Sequence, residues 1–420
     1  MSKKAKSTLG EITLSIFDGK HGDCKDCPRS GYYFISVKDL REYGIDYSQA
    51  REIDPVDFQQ NYTRTNLENG DTLYANTGDT IGKSLYIKGN PLAMRTSFQK
   101  SVAVLKPNTE YVEPRYLYYL LKYETPRLRK AATGSGQKNL LLSTMRNFDV
   151  SIHDRSTQRK IVETLSCIDD KIQCNYKVND NLQQQLKLMY DYWFNQFDFP
   201  NEDGKPYRAS GGKMRYSHRL KRDIPEGWTE ESVISNSISA PIKPGVEPFS
   251  TKIYLATADV SGTRLSAGSL IDYETREGRA NMQPTVSSVW FAKMKNSIKH
   301  LFLNREMNQL IDSTILSTGF CGLQCTDKSF EYIAAFIEHS YFEDIKNILA
   351  HGATQESVNN DDLLGLAMLV PTSEVLEMFH AKAKPLYAQI SQNICENQKL
   401  TEIRDWLLPM LMNGQATISD

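Results

Sequence analysis

The sequence predicts an α+β fold built twice. Two globular domains of mixed strands and short helices are separated by two long helices packed as an antiparallel coiled coil, related by a pseudo-two-fold internal repeat. Three observations predict this. Segments recur at a shift of 216–218 residues, two heptad seams recur at a shift of 218, and a Gly/Pro-rich connector divides the copies. The 420 residues suit two or three domains, each long enough to bury its own core.

Residues 1–154 form the first domain. Strand-like alternation leads to a short amphipathic helix at Tyr116-Leu-Tyr-Tyr-Leu-Leu, a Gly134-Ser-Gly-Gln137 loop and a final strand through Val150. Residues 225–372 repeat that order. Tyr332-Ile-Ala-Ala-Phe-Ile matches the helix, Gly352-Ala-Thr-Gln355 the loop, and Val289-Trp-Phe with His300-Leu-Phe302 the earlier strands Leu73-Tyr-Ala and Ser84-Leu-Tyr86.

Residues 155–197 form the first long helix. Ile161, Leu165, Ile168, Ile172, Asn175, Asn179, Leu182, Leu186, Met189 and Trp193 recur at alternating spacings of four and three, the a and d positions of a heptad. Residues 373–413 carry the same seam, displaced by 218, from Phe379 through Asn393 and Asn397 to Arg404, Leu407 and Leu411. A seam Asn costs stability unless it meets an amide partner, so such residues fix register. Antiparallel packing puts Asn175 near Asn397 and Asn179 near Asn393; parallel packing puts Asn175 beside Asn393. Thirty-three residues between seam ends make a rod of roughly 50 Å.

Between the halves, residues 198–224 begin Asp198-Phe-Pro-Asn-Glu-Asp-Gly-Lys-Pro-Tyr and read as a linker. Pro225-Glu-Gly-Trp228 restarts a domain, and residues 414–420 are a tail.

Composition narrows the function. Charged residues at 24% and hydrophobic residues at 40% describe a globular chain, not a disordered or collagen-like one. No apolar run reaches the roughly 18 residues of a membrane span, and the basic start Met1-Ser-Lys-Lys lacks a signal peptide's apolar core, so a cytoplasmic protein is expected. The formal net charge of -1 hides a segregation: residues 1–150 hold 22 Lys+Arg against 17 Asp+Glu, residues 231–305 hold 9 against 6, and residues 306–371 hold 2 against 10. Two modest basic regions precede one acidic block.

Seven cysteines, an odd number, read as reduced thiols. Cys24-x-x-Cys27 and Cys321-x-x-x-Cys325 could each supply half a zinc site, but they lie about 300 residues apart with no His at finger spacing, so no metal is expected. Thr77-Gly78-Asp-Thr-Ile-Gly82-Lys83-Ser84 approaches a phosphate-binding loop, yet places three residues between its glycines where four are needed, and strand rather than helix follows. A hairpin turn fits better. No metalloprotease helix, nucleophile elbow or methyltransferase base-gripping segment occurs, and no general base has an orienting partner.

What remains is a scatter of loop cations and amides suited to phosphates and base edges. In the first domain these are Lys20, His21, Lys38, Arg64, Lys83, Arg95 and Lys138; in the second, Lys252, Arg264, Arg276, Arg279 and Lys293.

The arrangement resembles the specificity subunit of type I restriction-modification enzymes. The resemblance rests on two domains that each end in Gly-x-x-Gln and a strand. It rests also on Ser156-Thr-Gln-Arg159-Lys-Ile-Val-Glu-Thr-Leu-Ser-Cys-Ile168, the linker from Phe197 to Met214, and Ile224-Pro-Glu-Gly-Trp228. It covers essentially the whole chain. The second long helix departs from the family's Gln-Arg-x-Ile-Val start, reading Val375-Leu-Glu-Met-Phe-His380.

The resemblance implies two target recognition domains, each reading half of a split double-stranded DNA site, with the helices setting the spacer and docking two modification subunits. Those subunits bind S-adenosylmethionine and methylate adenine, while ATP- and Mg-dependent restriction subunits join the assembly. This chain then binds no cofactor and has no catalytic activity alone. Two readings compete: a nucleotide hydrolase using residues 77–84, and a coiled-coil scaffold that joins protein-binding domains without DNA.

Overall fold

The computed structural model describes residues 4–418 apart from Glu42, Gln49, Ala267 and Thr354. The start Met1-Ser-Lys3, the last two residues of the tail and Thr354 of the second Gly-x-x-Gln loop lie outside the described residues. The chain divides into two compact units, Met1–Gln173 with Leu400–Asp420, and Cys174–Lys399.

In the first unit an antiparallel sheet runs in the order Thr13–Asp18, Val102–Pro107, Thr72–Ala75, Ser84–Tyr86. Val102–Pro107 is central and almost wholly buried, which its near-continuous apolar run Val-Ala-Val-Leu requires. A second sheet orders Arg51–Glu52, Tyr33–Ile35 and Thr96–Phe98, the last two parallel. Ala5–Thr8 pairs with Asp149–Ile152.

Helix α1, Pro55–Thr65, starts where Asp54 accepts from the Val56 N–H and Pro55 supplies a preset φ; it stops at Asn66 in the left-handed region. Helix α2, Pro114–Ala131, buries Tyr116, Tyr119 and Leu120. A short α3, Leu142–Arg146, precedes the final strand, and α4, Arg155–Tyr190, begins in this unit. Leu165 of α4 shares the core with Tyr116, Leu120, Leu408 and Met412.

The second unit repeats the scheme. Its antiparallel sheet runs Ser239–Pro241, Phe320–Cys325, Ser288–Ala292, His300–Leu303, the same order, with the last three strands at the expected shift. Its second sheet orders Ser269–Ile271, Lys252–Leu255, Thr314–Ser317 and Ala280–Met282, again with one parallel pair. Thr229–Ser232 pairs with Ala367–Val370. The helices are α5, Asn308–Ser313; α6, Phe330–Glu338; α7, Ser340–Leu349; α8, Asn360–Leu363; and α9, Ser373–Asn413.

Three details differ from the sequence expectation. The short helix is 18 residues long as α2, its counterpart breaks at His339 into α6 and α7, and α1 has no helical equivalent between Ser269–Ile271 and Ser288–Ala292. The linker is also well built. Phe199 stacks on Tyr207 at 4.6 Å and on Trp228 at 5.3 Å, and a Cβ on Gly212 would lie 2.4 Å from the Tyr207 ring. No helix among the described residues is long and apolar enough to cross a membrane.

The long helices meet antiparallel in each unit. In the second unit the Asn175 amide donates to Asn397 Oδ1 at 2.8 Å, and the Asn393 amide donates to Asn179 Oδ1 at 2.7 Å. All four asparagines are buried. In the first unit Arg404 donates to Asp169 at 3.1 Å, both side chains almost completely buried.

Candidate nucleic-acid interface

Both units present the same three constellations, which shows what the shared scaffold does. The first is a small hairpin, Leu40–Arg41 with Gly44–Ile45 and Val260–Ser261 with Arg264–Leu265. Asp39 accepts from the Ser36 N–H and Asp259 from the Ala256 N–H, both at 2.8 Å, holding the turn before each hairpin. Each hairpin leans on α4. Tyr43 accepts from Arg404 at 2.6 Å, and its carbonyl accepts from Gln173 at 3.3 Å. Thr263 accepts from Gln183 at 3.0 Å, while Arg264 lies 4.5 Å from the Tyr176 ring centre and 3.5 Å from Asp180.

The second constellation explains Lys83. Its ammonium donates to the Val37 carbonyl at 3.2 Å, and Lys299, 216 residues later, donates to the Thr257 carbonyl. Burial lowers the pKa of both lysines, with Asp39 and Asp259 opposing. Lys299 follows no glycine loop, so this role belongs to the scaffold. The stretch 77–84 joins two antiparallel strands through one 3-10 turn, and its lysine faces the protein. A phosphate cradle is not what it builds.

The third is the Gly-x-x-Gln loop. Thr133 and Thr77 bridge Asn139; His351 and Met294 bridge Ser357. Gly134 and Gly352 have φ of 131° and 141°, and a Cβ on either would sit 2.4 or 2.5 Å from the carbonyl oxygen of Gln137 or Gln355. Only glycine fits there.

The sequence-predicted cations divide into groups. Lys20, His21 and Arg64 gather around two carboxylates: Lys20 pairs with Asp57 at 3.3 Å, and His21, at 2.9 Å, and Arg64 both reach Asp18. Lys252 and Arg276 gather around aromatic rings. Arg276 lies 3.8 Å from the Tyr273 ring centre and Lys252 5.6 Å from that of Phe249, the two rings being 5.7 Å apart. Lys38, Arg95, Lys138 and Arg279 are exposed, and Lys293 is half-buried. Lys83 and Arg264 make scaffold contacts, Lys83 with the Val37 carbonyl and Arg264 with Tyr176 and Asp180, and the Arg264 side chain stays 41% exposed.

The cysteine pairs stay apart from any ligand cluster. Cys24 Sγ accepts from Asn61 at 3.2 Å, and Cys321 and Cys325 are buried in one strand, where desolvation pushes the Cys321 thiol up to about 11. Among the described residues no group of three or more His, Cys, Asp or Glu could hold a metal.

Two functional-looking features lay outside the sequence expectation. One is helix α1. The other is the network at Asp169, one residue beyond seam position Ile168: Asp169 accepts from Tyr119 at 2.6 Å and from Arg404, with Arg115 3.8 Å away. Burial, reinforced by the adjacent Asp169 carboxylate, pushes the Tyr119 hydroxyl pKa far up, so it stays a donor. The acidic pair Asp169-Asp170 within an apolar stripe was the available signal.

Comparison with known proteins finds similarity along the chain. Residues 6–184 match the family described as type I restriction modification DNA specificity domain. The HindI specificity subunit of Haemophilus influenzae is 21% identical over 471 aligned positions, covering 99% of this chain and all of that one. The MjaIX specificity subunit of Methanocaldococcus jannaschii is 23% identical over 407, covering 92% and 87%. The crystal structure of a type I S subunit from M. genitalium aligns over 98% of this chain and 96% of its own at 14% identity and a TM-score of 0.48, too loose to transfer any position. Over residues 6–184 the chain carries a match to the type I restriction modification DNA specificity domain, and along nearly its whole length it is similar to type I restriction enzyme specificity subunits.

Proposed function

We propose that this chain is the DNA-specificity subunit of a type I restriction-modification complex: a targeting subunit, with no catalysis of its own, in which each repeated domain reads one half of a bipartite site. The observation that supports this most is the duplication itself. A specificity-subunit chain carries two copies of one domain scaffold that share hairpin, capping lysine and Gly-x-x-Gln loop yet differ in the segments around them. Two similar but unequal readers suit two unequal half-sites.

Its partners are double-stranded DNA and the other subunits of the complex. We assign two modification subunits, which bring S-adenosylmethionine, and restriction subunits, which bring ATP and Mg; this chain supplies the address. The paired helices α4 and α9 set the spacer between half-sites.

Inserting one heptad into each helix, so that the Asn175–Asn397 register survives, tests the reading. Selection from a randomised duplex library by the reconstituted complex is expected to return both half-sites unchanged with a longer spacer. Unchanged spacing with altered base preference would refute the ruler; no sequence selection by the unaltered complex would refute the targeting role.

A further inference from the structure

What the domains do not share is where their readouts can differ, and in the first unit the largest unshared element is α1. Its sequence divides it cleanly. Phe58, Tyr62 and Thr65 face inward, Phe58 stacking on Tyr32 at 4.5 Å within a small cluster that includes Phe34 and Ile53. Val56, Gln59, Gln60 and Thr63, at i, i+3, i+4 and i+7, form the exposed stripe, with Val56 65% exposed.

That stripe carries amides, a hydroxyl and a methyl-bearing side chain, and no carboxylate. Two nearby acids are paired, Asp57 with Lys20 and Asp18 with Arg64, and the Asp54 carboxylate is turned to the helix start, where it accepts from the Val56 N–H. Lys25 is placed beside the helix start by its N–H to Asp57 at 2.7 Å, and Lys100 beside Lys20 by its N–H to the Lys20 carbonyl at 3.1 Å. Neither lysine side chain has an ion-pair partner among the described residues. The stripe is therefore bordered by Lys25 and Lys100 near its N-terminal half, beside the N-cap carboxylate of Asp54, and by the partly exposed Arg64, shared with Asp18, at its end. That pattern complements a duplex, whose phosphates flank the major groove on both sides.

Resting on the DNA-specificity reading, we propose that α1 enters the major groove of one half-site, where Gln59 and Gln60 read base edges and Val56 and Thr63 meet thymine methyl groups. A glutamine amide pairs bidentately with adenine N6 and N7, so that half-site is expected to be A·T-containing where α1 lies. The groove, about 12 Å wide, admits one helix. The capped start and the aromatic floor hold the stripe rigid, so its contacts cost little ordering entropy.

The test uses the reconstituted complex of full-length chain and partner subunits in selection from a randomised duplex library. Q59A/Q60A is expected to lose roughly tenfold or more of its discrimination at adjacent positions of one half-site only. The other half-site and the spacer stay as they were, which also shows that the protein is folded. Gln60→Arg is expected to move one preference from adenine to guanine, a gain that misfolding cannot mimic. Both half-sites retained in full would overturn the proposal. So would a uniform loss of affinity at unchanged preference, the mark of a backbone contact, and so would failure to assemble with partner subunits, the mark of a protein-binding face. No selection by the unaltered complex would sink the parent reading instead, separating the two failures.

Discussion

Asn175 hands its side-chain amide to Asn397 across the seam of α4 and α9 at 2.8 Å, while Asn397 Nδ2 has no partner of its own among the described residues. The pair is thus half-satisfied, a device for alignment more than for stability. Asn175→Ala strands the Asn397 carbonyl as well and is expected to cost about 1–3 kcal/mol. Asn175→Leu with Asn397→Leu is expected to melt higher than either single variant but to loosen the register. Thermal unfolding of the three variants checks the first statement. Spacer selection by the double variant checks the second: a spacer as sharply defined as before would show that other contacts fix the alignment.

Asp169 and Arg404 form the charged counterpart in the first unit, with Tyr119 and Tyr43 completing the hydrogen bonds. Arg404→Ala leaves a buried carboxylate and is expected to cost about 3–5 kcal/mol. Asp169→Leu with Arg404→Met is expected to recover most of that. A double-mutant cycle by chemical denaturation gives the coupling, and additive single losses would contradict it.

His153, buried against Tyr116 at 2.9 Å, is held near a pKa of about 4 by desolvation, with Lys4 contributing. Its folded pKa is depressed below the ordinary 6.5, so the unfolded chain binds more protons between those values. The stability is fully present above pH 6.5 and is lost as pH falls through that window towards 4, by an amount on the order of 1–3 kcal/mol. His153→Gln is expected to flatten the unfolding profile over this range. An unchanged slope would place the titrating group elsewhere.

Lys83→Ala and Lys299→Ala remove equivalent caps from the Val37 and Thr257 carbonyls. Each is expected to destabilise by about 1 kcal/mol, and neither to change phosphate release from ATP by the isolated chain. A hydrolysis rate that Lys83→Ala abolishes would restore the nucleotide-binding reading of residues 77–84.

The duplication and the seams were legible because they are long-period signals: ten apolar or amide positions at heptad spacing survive local irregularity. The recurrence of the strands at Thr72–Ala75 and Ser84–Tyr86 as Ser288–Ala292 and His300–Leu303 followed from the same shift, whereas the order of strands within each sheet did not. Helix α1 was not legible, since only Phe58 and Tyr62 mark its apolar side and two residues define no period. Its capping signal, Asp54-Pro55, was present but short. The break at His339 escaped because Phe330 to Ile337 is buried on nearly every side and shows no polar face to end. The carbonyl that Lys83 caps and the Tyr176 ring beside Arg264 were not legible, because a long side chain's contacts depend on tertiary packing, which one-dimensional spacing does not encode.

The first compact unit is assembled from residues 1–173 and 400–420, with the second lying between them in sequence. On a ribosome this imposes an order of events. Leu165 and Tyr116 are made early, but Leu408 and Met412, which close the same core, emerge only after the whole of the second unit. At roughly 5–20 residues per second, that leaves an apolar face waiting on the order of 10–45 s. The second unit, one continuous segment, can finish first, so the part of the protein begun first is the last to be completed.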